Sequence, residues 1–182
     1  MSASTQGRSE KVLAARARMA IVNKNGLVRH RVLDVTAPRT VDQRIVDSRE
    51  RLEHDVDAWV ATTSPDRPWL IPLSLLWHHD RLLFAISAGS PTAVNIGLVP
   101  RVRVALGGVR DVVIIDGDAD LAPSATMSSA EVEAYATKHN SDPRTWADSV
   151  IRVAPRRIQA WREENELAGR MIMRNGVWVS SP

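Results

Sequence analysis

The sequence predicts a mainly β fold with peripheral helices, an α+β arrangement built on an antiparallel meander. Short apolar runs follow one another between residues 58 and 121, and turn residues such as Gly, Pro and Asp separate them. Runs of this length with dense punctuation are typical of strands. The one long gap, residues 91–99, suits a short helix. The five runs are residues 59–63, 69–77, 82–87, 102–106 and 112–121.

Two longer helices are predicted from their N-terminal caps. Thr40 and Gln43 have capping-box spacing, and apolar residues follow at helical spacing as far as residue 54. Ser128 and Glu131 repeat that spacing before a second helix, which we expect to end at Asn140. The first helix should pack against the sheet as a structural element.

The remaining strands lie in the C-terminal part of the chain. Residues 150–161 predict a strand with a break at a Pro-Arg step. Residues 171–173 and 177–179 predict a final hairpin around Asn175-Gly176, because Asn-Gly favours the tight turn of a two-residue hairpin.

One strand pattern predicts a subunit interface. Val102, Val104 and Leu106 alternate with other residues, so they share one face of a half-buried strand. Residues 112–115, in contrast, are apolar on both faces. A small sheet covers only one of those faces, and we expect a second copy of the chain, in a homodimer, to cover the other.

The N-terminal region differs in charge from the rest of the chain. Residues 1–40 hold eight basic and two acidic residues, whereas the remainder is mildly acidic. We therefore divide the chain into a basic extension, residues 1–39, and a folded domain, residues 40–182. Within the extension, residues 10–22 predict a basic helix and residues 27–35 a strand. A nucleic-acid contact is one interpretation of this charge, but we expect a solvated tail or an arm lying on the domain.

Composition excludes several classes of protein and of site. The chain has no cysteine, so it has no disulfide, thiolate metal site or cysteine nucleophile. Neither Gly-x-Gly-x-x-Gly nor Gly-Lys-Ser/Thr occurs, which argues against a Rossmann site and a P-loop. With no long apolar run and no apolar leader, we expect no membrane span and a cytoplasmic location.

Two groups of residues resemble metal ligands. His78 and His79 are adjacent, and neighbours on a strand point to opposite faces, so they make a poor shared site. Asp116, Asp118 and Asp120 fall on one face of a strand, where carboxylates can hold a hard cation. We expect a solvated strand edge there, and no metal site.

A series of short motifs occurs in a characteristic order. A strand that ends in Ala-Thr is followed by a turn with Asp66 and Pro68, and the second strand carries Pro72. Then come Asn95-Ile96, Pro100-Arg101-Val102 and, at the end, Asp116-Gly117-Asp118-Ala119. In this order the motifs, over about residues 41–178, resemble the split β-barrel family of flavin-binding proteins, whose best-known member is pyridoxamine 5′-phosphate oxidase. The similarity is closest to the actinobacterial branch that uses FMN or the deazaflavin F420.

The resemblance implies a six-stranded antiparallel split β-barrel, homodimeric, with the cofactor at the subunit interface. It also implies that a loop and the following short helix hold the cofactor's phosphate. Small residues permit close approach there, and free N–H groups at a helix N-terminus attract an anion. The residues concerned are Ser87, Ser90, Pro91, Thr92 and Asn95.

This loop departs from the family pattern. Many relatives place Arg or Lys just before the Asn, where this chain has Ser90, Thr92 and Val94. Hydroxyls and amides still bind a phosphate, but we expect lower affinity or a different ligand. Restoring the charge with Thr92→Lys should then tighten binding.

The resemblance assigns four further residues to the cofactor. Pro72, Leu73 and Ser74 lie where the family's second strand runs beside the flavin ring, and a strand with one apolar side chain and open main-chain groups suits such a ring. Trp161 corresponds to a tryptophan near the flavin in the oxidase. Leu167 stands where the oxidase has a substrate-binding arginine, and no histidine follows His139, so we do not expect the pyridoxamine oxidase reaction.

These observations predict an FMN- or F420-dependent oxidoreductase that transfers hydride to or from a small organic substrate. No catalytic residue stands out, because the cofactor carries the redox chemistry. The alternative is a non-catalytic cofactor- or ligand-binding protein of the same fold, and the missing loop cations favour it.

Overall fold

The computed structural model of the chain describes residues 16–22, 28–34 and 37–179. Contacts divide the chain into two units, the second of which begins at Arg39. The first unit contains an antiparallel hairpin of β1 (Arg16–Val22) and β2 (Val28–Asp34). This confirms the predicted strand over residues 27–35.

The predicted helix over residues 10–22 is wrong for residues 16–22, which form β1. Residues 10–15 lie outside the described part of the chain. The sequence holds the reason, since Arg16 and Arg18 alternate with apolar residues at the two-residue period of a strand. The turn predicted at Asn25-Gly26 lies outside the described residues.

Within residues 39–179, three α-helices accompany one antiparallel sheet of nine strands, curled into a half-barrel. The helices are α1 (Val41–His54), α2 (Pro91–Leu98) and α3 (Ser129–His139). The strands are β3 (Asp57–Thr63), β4 (Pro68–Ser74), β5 (Leu76–His78), β6 (Arg81–Ile86), β7 (Arg101–Gly108), β8 (Asp111–Pro123), β9 (Ser149–Trp161), β10 (Met171–Arg174) and β11 (Val177–Trp178). Their order is β11-β10-β9-β8-β7-β3-β4, and β6 pairs with both β9 and β5.

The sheet therefore has nine strands where six were predicted. The run over residues 69–77 divides at Leu75, whose N–H donates to the Val56 carbonyl at 2.8 Å while the chain changes its partner from β3 to β6. The C-terminal hairpin adds β10 and β11 to the same sheet. Its turn has positive φ at Asn175 and Gly176, as Asn-Gly predicts.

The predicted helix caps are present, with one difference. Thr40 accepts the N–H of Gln43 at 3.1 Å, but the Gln43 side chain donates to Asp47, so this capping box is only half formed. The box of Ser128 and Glu131 is complete. The short helix predicted over residues 91–99 is α2. None of the helices in the described part of the chain is long and apolar enough to span a membrane.

The core lies between the sheet's inner face and the helices. The alternation predicted in β7 is confirmed, since Val102, Val104 and Leu106 are buried. In β8, Val113 and Ile115 join this core, whereas Val112 and Ile114 face the other side and are only half-buried.

The predicted break in β9 is a β-bulge. Asp116 pairs with Arg157 and Gly117 pairs with Pro155, so Arg156 is the extra residue. The strand continues on both sides of the bulge.

Candidate functional site

The outward side of β3, β4, β7 and β8 carries apolar side chains that no other part of this unit covers. Burial alternates along β3, so Trp59 and Ala61 point away from the core, and half of the Trp59 side chain (50%) is exposed. Leu70, which faces Ala61 across the strands, is 56% exposed. We call this surface the outer face; its apolar residues are Trp59, Ala61, Leu70, Pro72, Ala105 and Ile114.

Strand β4 is the edge of the sheet, and none of its residues is fully buried. Pro72 pairs with Trp59, and a proline has no N–H to give to a neighbouring strand. In an antiparallel pair the hydrogen-bonded and non-bonded positions alternate. Because Pro72 has no N–H to donate, it suits a non-bonded position. Leu70 and Ser74 lie two residues to either side of Pro72 and so occupy non-bonded positions too, where the N–H groups point to the free edge.

Charged residues lie beside the apolar part of the outer face. A cleft of about 660 Å³ is open between the ends of β3, β7, β8 and β9. Its charged lining residues are Arg101, Arg103, Asp116, Asp118 and Arg156. Arg103 Nε contacts Asp116 Oδ1 at 2.6 Å, and Arg156 Nε lies 3.6 Å from Asp118 Oδ2.

These contacts account for two carboxylates of the predicted acidic row. Asp116 and Asp118 are paired with arginines, and Asp120 is exposed. His78 and His79 stack edge to face, with ring centroids 4.1 Å apart. Among the described residues, no group of three or more His, Asp or Glu side chains is placed to hold a metal ion.

The loop before α2 is a helix cap whose side chains are already engaged. Ser90 accepts the N–H of Ala93 at 3.2 Å. Thr92 is fully buried (0% exposed), and its hydroxyl accepts the indole N–H of Trp69 at 3.1 Å. Asn95 is also buried and donates to the Thr62 hydroxyl at 3.0 Å. These bonds lie on the core side of β3, opposite the outer face.

Most main-chain N–H groups of this loop are also engaged. Ser87 is exposed and its carbonyl accepts the N–H of Ser90, while Ala88 donates to Asp148 at 2.5 Å. Pro91 has no N–H, and the N–H of Thr92, at the second helical position, has no acceptor within the helix. Because Thr92 is fully buried, its N–H is not accessible, so the loop offers a partner few main-chain donors and no cation.

The structure does not bring Trp161 to the other predicted site residues within one protomer. Trp161 pairs with Val112, and β7 and β3 lie between β8 and β4. Four strand spacings of about 4.8 Å separate it from β4, or roughly 19 Å measured along the sheet. Arg170 lies over its ring, with the guanidinium carbon 6.0 Å from the centroid.

Titratable groups gather where β4 ends. Ser74 donates to Asp57 at 3.0 Å, and His139 Nε2 lies 3.1 Å from the Leu75 carbonyl oxygen. Burial lowers the pKa of His139 and raises the pKa of Tyr135 to about 12. Both rings are therefore neutral at pH 7, and neither supplies a charge to a ligand on β4.

Sequence reasoning missed the cleft and the bond between Trp69 and Thr92. Arg101 and Arg103 differ by two positions in a strand whose alternate residues are buried, which was the available signal for outward cations. The Trp69 bond had no local signal, because its partner is 23 residues away.

No protein-family model and no curated protein matches the sequence. Solved structures do match the fold. A conserved hypothetical protein, Rv2991 from Mycobacterium tuberculosis, is 17% identical with a TM-score of 0.56, over 71% of this chain and 89% of that one. A putative pyridoxamine 5′-phosphate oxidase from Listeria innocua is 16% identical with a TM-score of 0.52, over 68% of this chain and all (100%) of that one.

A third match, general stress protein 26 from Bacillus anthracis, is 15% identical with a TM-score of 0.50, over 68% of this chain and 95% of that one. At these identities the likeness concerns the fold. The chain has the split β-barrel fold of pyridoxamine 5′-phosphate oxidase-like proteins, which confirms the resemblance that the sequence motifs indicated.

Proposed function

We propose that the protein binds the ring of FMN or of the deazaflavin F420 on strand β4, at the interface of a homodimer. There it would transfer hydride between the cofactor and a small organic substrate. The observation that carries this proposal is β4 itself, an edge strand with exposed apolar side chains and unpaired main-chain groups.

The residues of β4 fit such a ring. A flavin ring has apolar faces and an edge of hydrogen-bond donors and acceptors. Leu70 and Pro72 offer apolar contact on the outer face, while the N–H groups of Leu70 and Ser74 are directed to the free edge. Leu73 pairs with buried Ala58 and packs against the core on the opposite face of β4, so its contact with the ring stays a prediction. Sites of this kind combine apolar walls with a few main-chain contacts that fix the ligand's orientation.

The anionic end of the cofactor fits the α2 loop less well. Residues 87–99 contain no charged side chain. The hydroxyl of Thr92 and the amide of Asn95 are buried and hydrogen-bonded to Trp69 and Thr62. Ser90 and the few accessible main-chain N–H groups would remain for this end, so the roles of Ser87, Ser90, Pro91, Thr92 and Asn95 stay predictions.

A second copy of the chain would complete the site. Trp59 and Leu70 expose large apolar surfaces on a face that this unit leaves uncovered, and burial of such area drives association. A partner packed on that face would enclose β4 and exclude water from it. Within one protomer Trp161 is far from β4, so the Trp161 that reaches the ring would be that of the partner subunit.

These contacts assign separate roles to the cofactor, to β4 and to the dimer interface. The bound cofactor would supply the hydride chemistry. The residues of β4 would hold and orient the ring, and the dimer interface would keep it dry. Oxidoreductase activity also agrees with the description of the Listeria innocua neighbour as a putative oxidase.

The second candidate function is ligand binding without turnover in the same pocket. The absence of a cation in residues 87–99 favours it, because no side chain of that segment pairs with the charge of a cofactor's phosphate.

One experiment separates the two functions. The protein is mixed anaerobically with reduced FMN or reduced F420 and a panel of small organic acceptors, and reoxidation is followed by absorbance. An oxidoreductase accelerates reoxidation with at least one acceptor. Saturable cofactor binding with no acceleration across the panel would support the second function instead.

A further inference from the structure

We infer that Arg101, assisted by Arg103, binds the anionic end of the ligand whose ring lies on β4, in place of the cations that the α2 loop lacks. The inference rests on the proposed function and deepens it. It moves the anion contact from the core side of β3 to the outer face, where the cleft of about 660 Å³ is open.

Arg101 is the uncommitted cation of this cleft. Its neighbours Arg103 and Arg156 are paired with Asp116 and Asp118. Arg101 is exposed, and in the described part of the chain its guanidinium takes part in no ion pair or hydrogen bond. A free guanidinium offers a planar fork of donors that matches a phosphate or a carboxylate.

The charge balance of the cleft favours an anion. Three arginines and two aspartates line it, which leaves one net positive charge. The other lining residues are uncharged: Ala61, Thr62, Thr63, Val102 and Gly117. The cation that the ligand requires is therefore present, but on β7 and not beside α2.

The cleft continues the apolar part of the outer face. Arg103 pairs with Ala61, two positions along β3 from Trp59, and Arg101 lies two positions further in the same direction. At about 3.4 Å per residue, Arg103 and Arg101 lie roughly 7 and 14 Å along the strand direction from Trp59. A ligand with a flat ring and an anionic arm thus meets an apolar surface and a cationic surface in the right order.

The charged side chains of the cleft and the side chains of the α2 loop lie on opposite sides of β3, although Thr62 borders both. Thr62 bonds to Asn95 of α2 on the core side, whereas Ala61 and Arg103 face outward. Substitution of Arg101, which has no contact with Thr92 or Asn95, therefore leaves the α2 loop unchanged.

The test compares ligands that share a ring and differ in the anionic arm. Dissociation constants of FMN and riboflavin, and of F420 and its phosphate-free chromophore, are measured by fluorescence for the wild type and Arg101→Gln. Arg81→Gln, on exposed Arg81 in β6, is the matched control. We expect Arg101→Gln to weaken binding of the phosphorylated ligand about tenfold or more, because a hydrogen bond to a charged group is lost.

In Arg101→Gln the dissociation constant of the phosphate-free ligand should change less than twofold, and Arg81→Gln should bind both ligands like the wild type. Added salt should reduce the difference between Arg101→Gln and the wild type for the phosphorylated ligand. Equal affinities of Arg101→Gln and wild type for the phosphorylated ligand would overturn the inference alone. An equal loss of affinity for both ligands would also overturn it. If light scattering then showed that the dimer dissociates, Arg101 would be an interface residue. If no ring compound binds the wild type, the proposed function fails as well.

Discussion

The indole N–H of Trp69 donates to the hydroxyl of Thr92 at 3.1 Å, across two elements that are 23 residues apart in the chain. This bond joins β4 to the start of α2. It also explains why a loop that resembles a phosphate site turns its threonine inward. Thr92, one of the positions where relatives carry a cation, is here bonded to Trp69 instead.

Thr92→Val should destabilise the protein, because it keeps the shape of the side chain and removes the acceptor of the Trp69 indole. Because the Trp69 donor is only part-buried, loss of this bond should cost about 1 kcal/mol in free energy of unfolding, measurable by urea denaturation. The control is Thr137→Val on the exposed side of α3, where we expect little change. Equal stabilities of the two variants would contradict the assigned bond.

Burial also changes the expectation for Thr92→Lys. The sequence predicted that the added charge would tighten cofactor binding, but Thr92 has no exposed surface. A lysine there must either bury its charge or displace α2. We now expect a less stable protein with no gain in affinity, which thermal unfolding and a cofactor titration would check together.

The Arg39–Glu166 pair should make stability depend on acid pH. Burial disfavours the charged form of Glu166, but hydrogen bonds from the Arg39 side chain and backbone outweigh it and lower the Glu166 pKa to about 2. A carboxyl whose pKa is lower in the folded state stabilises the protein above its unfolded pKa. That stabilisation is lost as pH falls from about 4.5 towards 2.

Glu166→Gln should therefore reduce the free energy of unfolding by roughly 3 kcal/mol at pH 7. It should also flatten the dependence of stability on pH between 5 and about 2. Glu133→Gln on exposed Glu133 of α3 is the control. Denaturant unfolding at several pH values measures both effects, and an unchanged pH dependence in Glu166→Gln would refute the role of this carboxylate.

The division of the chain into a basic extension and a folded domain is a prediction that truncation tests. A fragment beginning at Pro38 retains Arg39 and its bonds to Glu166 and Asp47. We expect it to unfold at the same denaturant concentration as the full chain. A fragment beginning at Val41 loses that pair and should be less stable by roughly 3 kcal/mol. Failure of the longer fragment to fold would show that the extension belongs to the domain.

The homodimer should depend on the outer face. Wild-type protein at micromolar concentration should have the mass of a dimer in light scattering, and Trp59→Glu should be monomeric because it buries a charge at the interface. Val46→Glu makes the same kind of change on α1, where Val46 is also 50% exposed, and should remain dimeric. A monomeric wild type would exclude the dimer, and a dimeric Trp59→Glu would exclude this interface.

The strands and helices of the folded domain were predictable because their sequence signals are local. The Ser128–Glu131 box, the alternation in β7 and the Asn175-Gly176 turn each depend on residues a few positions apart. The wrong helix over residues 16–22 shows the limit of such signals, since a run of Ala and Arg is compatible with a helix until its alternation is weighed.

The site was less predictable because its contacts are long-range. The sequence placed Thr92 and Asn95 beside the ligand, yet their partners Trp69 and Thr62 come from other strands. The arginine cleft forms only when β7, β8 and β9 pair, and the bulge brings Arg156 to its edge. A resemblance in motif order predicted the fold and could not predict which side chains would face inward.

The most direct test of the central claim is a count of bound cofactor. The purified protein is passed through gel filtration in buffer that contains saturating FMN or F420, and the absorbance of the protein peak above that of the buffer gives the amount of ring bound. We predict one ring per protomer for at least one of the two cofactors, eluting at the mass of the dimer. A protein peak that carries neither FMN nor F420 at saturating concentration would contradict the proposed function.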